Sequence, residues 1–142
     1  MAKRWNVKKK INAFEKMKRT LPVRLGNKYK NHFIKAFNDE AFSYDTPKSD
    51  PWKARKYQTK EDKRTNKRRA LLVQSGSLKR SIKVKRATWS KIQIGSYGIP
   101  YASYHNKGTR DIPQRQFIGK SPIVEKQVGK LIQNEIKHIS KL

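Results

Sequence analysis

The chain has 142 residues, 35% hydrophobic and 32% charged, and its 36 Lys+Arg against 10 Asp+Glu leave a net charge of +26. That length predicts one domain over residues 1–142 with one modest core. The absence of cysteine excludes disulfide staples, thiolate metal sites and cysteine nucleophiles.

Self-repulsion at this charge is destabilising unless a polyanion or an acidic neighbour screens it. Nucleic acid is therefore the first candidate partner, with an acidic protein surface or an anionic membrane second. No apolar run approaches the roughly 20 residues of a membrane span. The basic start Met1–Trp5 is not followed by the apolar stretch of a secretory signal, so cytosolic expression is expected.

Residues 1–38 read as helix. Val7, Ile11, Phe14 and Met17 recur at helical spacing, and Leu21, Leu25, Tyr29, Phe33 and Phe37 continue every fourth residue. Pro22 interrupts the pattern, and Thr20 is placed to cap a second helix. The expectation is two helices, Asn6–Arg19 and Leu21–Asn38, or one long kinked helix, with lysines on the opposite face.

Residues 39–70 lose periodicity and read as a long basic loop, with Ser43, Pro47, Ser49 and Pro51 marking irregular chain. Within it the run 53–69 carries Lys53, Arg55, Lys56, Lys60, Lys63, Arg64, Lys67, Arg68 and Arg69 against only Glu61 and Asp62. A solvated loop is the plain reading, but a run this dense points to polyanion contact. Trp52 and Tyr57 interleave with it, an arrangement that can stack bases.

Residues 71–120 read as a sheet region. Ser75 and Gly76 signal a turn, with Ser75 capping a short helical turn through Arg80 and Gly76 permitting the sharp entry. Ile82 and Val84 alternate with Lys83 and Lys85, and Ile92 and Ile94 repeat the pattern after the loop Ala87–Ser90, which predicts an antiparallel hairpin. Gly95, Gly98, Pro100 and Gly108 punctuate a crossing that carries Tyr97, Tyr101 and Tyr104. Gly95 and Gly108 are expected to supply positive backbone angles or close approaches. Phe117 and Ile118 form a third candidate strand, on which Arg115 and Phe117 are expected to take core and outward positions.

Residues 121–142 form the clearest helix. Ser121 is placed to cap and Pro122 sits at the favoured first position. Val124, Val128, Leu131, Ile132, Ile136 and Ile139 make one apolar stripe, expected to pack on the sheet. The resulting class is α+β: a long N-terminal helix or helix pair, a small antiparallel sheet and a C-terminal helix.

Chemistry finds little support. His32, His105 and His138 share no ligand spacing, so no metal is expected. The acidic residues offer no converging set for a two-metal nuclease. No nucleophile elbow or phosphate loop is present, so no catalytic residue and no cofactor are expected. Tyr101 and Tyr104 are read as loop or interface tyrosines.

Four segments together resemble the phage virion morphogenesis family, the Mu-like and tail-completion proteins of tailed bacteriophages. Asp50, Pro51 and Trp52 match its proline–tryptophan element. Residues 72–82 match its L-x-x-[ST]-G-x-L-x-x-S-I block through Leu72, Ser75, Gly76, Leu78, Ser81 and Ile82. Ile94-Gly95-Ser96 with Pro100, Tyr101, Ala102 and His105 match the I-G-T…Y-A…H block. Ile112 to Gly119 match I-P-x-R-x-F-[LI]-G through Arg115 and Phe117, with Gln116 where the family usually has proline.

The resemblance covers about half of the chain. It implies a small α+β head–tail neck protein, located in the virion and assembled in the host cytoplasm. It further implies a homo-oligomeric ring, a hexamer by preference and a dodecamer second, around the double-stranded genomic DNA. Head-completion or adaptor proteins, a tail terminator and the tail tube would be its neighbours, with no membrane partner. Trp52, Ser75, Gly76, Leu78, Ser81, Gly95, Tyr101, Tyr104, His105, Arg115 and Phe117 become motif or subunit-interface residues. Arg115 is further expected to face a neighbouring subunit's carboxylate. The alternative is a free basic nucleic-acid-binding protein of the ribosomal or architectural type. The charge is spread rather than confined to one groove: residues 1–70 carry 22 basic and 7 acidic residues, residues 71–142 carry 14 and 3.

Overall fold

The computed structural model describes residues 6–42, 51–57, 60–65 and 70–142. Helix α1 spans Val7–Asp39, α2 Lys60–Thr65 and α3 Ser77–Arg80; strands β1 and β2 span Ile82–Ala87 and Ile92–Ser96; helices α4 and α5 span Ala102–Lys107 and Pro122–Ser140. The α+β class matches the sequence reading, while α2 is added inside the basic loop, α4 is added in the crossing after β2, and the third strand is absent from the described residues.

The N-terminal region is one helix of 33 residues, about 50 Å long at the standard rise. Pro22 lies inside it and is buried. Proline removes one donor from the ladder, yet the helix continues because its neighbours are anchored: Met17, Leu21, Gly26 and Phe33 are all buried. Thr20 does not cap. Its hydroxyl donates back to Lys16 O at 3.0 Å, as a mid-helix threonine does. Asn6 is the actual cap, its side chain accepting from Lys9 N at 3.1 Å.

Gly26 sets how closely α1 approaches the hairpin. A Cβ there would lie 3.0 Å from Val84 Cγ1 and 3.5 Å from Ile92. The hairpin is antiparallel, pairing Ile82 with Ser96 and Val84 with Ile94, then Arg86 with Gln93 and Ala87 with Ile92. The shift between Val84 and Arg86 leaves Lys85 as an extra residue, a bulge that resets which side chains face α1. The turn closes through Thr88 N to Lys91 O at 2.9 Å and Lys91 N to Thr88 O at 3.2 Å.

Two expectations are corrected. Phe117 and Ile118 are in no strand; the sheet of the described residues has two strands. Their backbone is held by a side chain instead. Asn106 Oδ1 accepts from Phe117 N and Ile118 N, both at 2.9 Å, and Asn106 Nδ2 donates to Ile118 O at 3.0 Å. The second concerns α5, whose main packing partner is α1 rather than the sheet. Helix α1 already covers the apolar side of the hairpin, so α5 takes the free flank of α1, with Arg24 paired to Glu135 and Lys10 Nζ donating to Ser140 O at 2.9 Å. Ser121 occupies the cap position without a side-chain cap bond. Its carbonyl accepts from Glu125 N at 3.0 Å, and its side chain is fully buried.

The core centres on Phe37. Its ring meets Trp52 edge-on at 5.5 Å and Phe117 at 5.1 Å, and Phe33, Phe42, Leu71, Leu78, Ile82 and Ala102 close around them. The cluster joins α1, the segment after it, the turn before α3, β1 and α4. Segments far apart in sequence thus share one apolar centre.

Candidate functional site: an arginine-lined hollow

The end of α1 organises the site. Glu40 adopts a left-handed conformation (φ 49°), and its N–H bonds Ala36 O, closing the helix. Its own carbonyl accepts from Trp52 N at 2.6 Å, and its carboxylate Oε1 accepts from Leu71 N at 2.6 Å. One acidic residue therefore holds Trp52 and Leu71, on either side of the basic run 53–69, to the end of the helix. Trp52 then points inward, and its indole N–H donates to Gln116 O at 2.8 Å. Trp52 is buried, so base stacking is closed to it, while Tyr57 stays exposed.

The bond from the Trp52 indole to Gln116 O brings the fourth motif block against the first. Arg115 reinforces the join: its Nε and Nη2 donate to Lys53 O at 3.1 and 3.0 Å, and its backbone N–H donates to His105 O at 2.8 Å. The expected alternation of Arg115 and Phe117 fails, since both are buried. Without a strand there is no pleat to turn them to opposite faces. Arg115 is thus bonded to a carbonyl of its own chain. Burial and the nearby Arg55 lower its pKa while Glu40 raises it.

The second block builds the opposite wall. Gly76 has φ 73°, the left-handed geometry expected of it at the entry to α3. Gly76 rather than Ser75 is the N-cap residue, but the Ser75 hydroxyl accepts from Ser77 N, the first N–H of α3, at 3.4 Å and lies 2.8 Å from Ser77 Oγ. Arg80 Nη2 donates to Ser75 O at 2.9 Å and fastens the turn. Leu78 is buried, and Ser81 donates to Leu78 O and meets Ser96 Oγ, both at 2.6 Å, tying α3 to β2.

The third block supplies α4. His105 stands on this short helix, edge-on to Tyr101 at 5.9 Å. Its Nδ1 is buried and without a hydrogen-bond partner among the described residues. Burial, then Arg115, lowers its pKa below the ordinary 6.5. Tyr101 and Tyr104 are exposed. Gly108 has φ 77°, and a Cβ there would lie 3.0 Å from Gln114 N. Gly95 needs neither device: it sits in β2 without a positive φ, and a Cβ would make only ordinary contact with Tyr97 at 3.4 Å.

The blocks enclose an open hollow of about 410 Å³ between the Ser75–Ser77 turn and α4, with Arg55 and Arg115 on its wall. The same two arginines border a second hollow of about 490 Å³, lined also by Lys53, Lys56, Tyr57, Arg110 and Asp111. Lys53, Lys56, Lys60, Lys63 and Arg64 are exposed, and Arg55 is half-buried. Lys67, Arg68 and Arg69 lie outside the described residues, as do Ser43, Pro47, Ser49 and Asp50.

Two organising residues escape sequence reading. Glu40 carries no sequence signal, because a non-glycine in the left-handed region is uncommon. Asn106 acts only through contacts with a segment 11 and 12 residues away. Among the described residues no helix is long and apolar enough to cross a membrane.

Neither a curated protein nor a solved structure matches the chain significantly. A family profile does, over residues 7–137, which takes in α1, the hollow and nearly all of α5. The motif blocks that it spans fold here into one connected wall around Phe37, and the chain belongs to the phage virion morphogenesis family, with that family's structural role in building bacteriophage particles.

Proposed function

We propose that this chain is a tail-completion or head–tail connector subunit that assembles as a homo-oligomeric ring, six-fold by preference, around the DNA path. The observation that carries the reading is the family match over residues 7–137, joined to a net charge of +26 that is spread over both halves of the chain. A ring subunit meets neighbours on several faces, and distributed charge suits that better than one groove does. Exposed Tyr101 and Tyr104 beside the hollow suit a protein interface. The exposed lysines of the basic loop suit DNA phosphates, because a conduit must pass every sequence and gains nothing from reading bases. The work done is mechanical and electrostatic, with no catalytic step and no cofactor.

The test is assembly. Purified chain should form rings in negative-stain images, and particles grown without it should accumulate as unjoined heads and tails. A chain that stays monomeric, binds RNA or duplex DNA tightly and is absent from particles would instead establish the free nucleic-acid-binding reading.

A further inference from the structure

We infer that the outer face of the β1–β2 hairpin is a further surface for duplex DNA, on which Lys83, Lys85 and Arg86 meet backbone phosphates. The inference deepens the connector reading, from which it takes only the choice of duplex DNA as the polyanion. The surface itself stands on the register of the hairpin.

The bulge builds this face. Val84 and Ile92 are turned to Gly26 of α1, and Ile82 lies in the core. Alternation then turns Lys83 outward, together with its partner Gly95 and with Gln93. Plain alternation would also send Arg86 back towards α1 and Ala87 out to solvent. The extra residue reverses both: Arg86 pairs with Gln93, and Ala87 pairs with Ile92. Lys85 joins the same face, its Nζ 5.6 Å from the centre of the Tyr97 ring, which lies 3.4 Å from where a Gly95 Cβ would point. Lys83, Lys85 and Arg86 are accordingly exposed, and Ala87 is half-buried.

The charge of this face has no screen within the chain. Residues 63–110 contain no Asp or Glu. Among the described residues the ion pairs lie on α1 or between α1 and α5: Lys18 with Glu15, Lys35 with Asp39, and Arg24 with Glu135. None reaches the hairpin. The helices neutralise part of their own charge, whereas the hairpin leaves its cations to an outside anion.

Chemistry selects phosphate over a protein partner. Protein interfaces centre on apolar and aromatic groups and are poor in lysine. The hairpin turns its apolar residues away from this face. Val84, Ile92 and Ile94 go towards α1 and the core, and Trp89 at the turn leans on Phe14 of α1, edge-on at 6.1 Å. Tyr97 is half-buried, with the Lys85 ammonium over its ring. Protruding Lys and Arg without a patterned set of base-edge contacts are what backbone binding uses.

The test is fluorescence anisotropy of a short labelled duplex titrated with full chain over a range of salt concentrations. Lys83→Gln, Lys85→Gln and Arg86→Gln together should lower the slope of log affinity against log salt by about 2–3, at about 0.9 per lost phosphate contact. Removing equal charge from exposed positions of α1, by Lys8→Gln, Lys9→Gln and Lys16→Gln, should lower it by less than about one unit. Gln93→Glu keeps size and sets a carboxylate opposite Arg86, so it should lower the slope by about one unit with an unchanged circular dichroism spectrum. Duplexes of unrelated sequence should bind equally. A hairpin variant that loses no more slope than the α1 variant would overturn the inference, as would a native slope in Gln93→Glu or unequal binding of the duplexes. Poly-glutamate binding that depends on the three cations as strongly as duplex binding does would also overturn it, making the face an acidic-protein surface. Negative-stain images of the same proteins separate the two readings. Rings whose hairpin variant keeps the native slope sink this inference alone; monomers whose hairpin variant loses slope as expected sink the connector reading alone.

Discussion

Replacing Asn106 with alanine removes the clamp that holds the Phe117 segment without a strand. Three hydrogen bonds disappear: the two accepted by Oδ1 from Phe117 N and Ile118 N, and the one donated by Nδ2 to Ile118 O. A neutral hydrogen bond contributes about 0.5–1.5 kcal/mol net, and an orphaned buried donor costs more than the mean. These groups are part-buried, so water satisfies some of the loss, and the expected destabilisation is about 2–4 kcal/mol. That is a large share of a typical stability of about 5–15 kcal/mol. Urea unfolding followed by circular dichroism should show a lowered midpoint with an unchanged slope. Asn106→Asp keeps the acceptor but turns a carboxylate oxygen towards Ile118 O in place of the donor, so it should also lower the midpoint. If alanine lowers stability by less than about 0.5 kcal/mol, within the range of an ordinary surface change, the segment is held by Phe117 burial alone and the clamp argument is wrong.

Gly26→Leu should drive a side chain into Val84 and Ile92, which already stand 3.0 and 3.5 Å from a Cβ, and cost about 1–3 kcal/mol by overpacking; a thermal midpoint equal to that of the native chain would show that α1 can lift off the hairpin freely. His105 has a folded pKa lowered by burial and then by Arg115, so the unfolded chain binds its proton more readily. Its contribution is therefore present above the unfolded value of 6.5 and is lost as pH falls from there through the lowered folded value. Denaturation midpoints at neutral and mildly acidic pH should diverge less for His105→Gln than for the native chain, and identical pH dependence would refute the assignment. Neutralising Lys63, Arg64, Lys67, Arg68 and Arg69 together should weaken DNA binding and flatten its salt dependence by close to one unit of slope per lost phosphate contact; an unchanged slope would mean that this run faces protein.

Local pattern reached the elements whose residues satisfy one another nearby. Apolar residues every third or fourth position marked α1 and α5, alternation marked β1 and β2, and Ser75 with Gly76 marked the turn into α3, because helix, hairpin and turn each answer to short-range backbone chemistry. What lay beyond that range was the destination of each element. The third strand expected at Phe117 failed because its backbone found the Asn106 amide in place of a strand edge. Arg115 turned inward because Lys53 O, a distant neighbour in sequence, was within reach. Helix α5 chose α1 over the sheet because α1 had already covered the hairpin. Composition and motif blocks were enough to announce a basic virion-building protein. Only tertiary packing around Phe37 drew those blocks together, since a hollow is made by the meeting of surfaces and no stretch of sequence contains one.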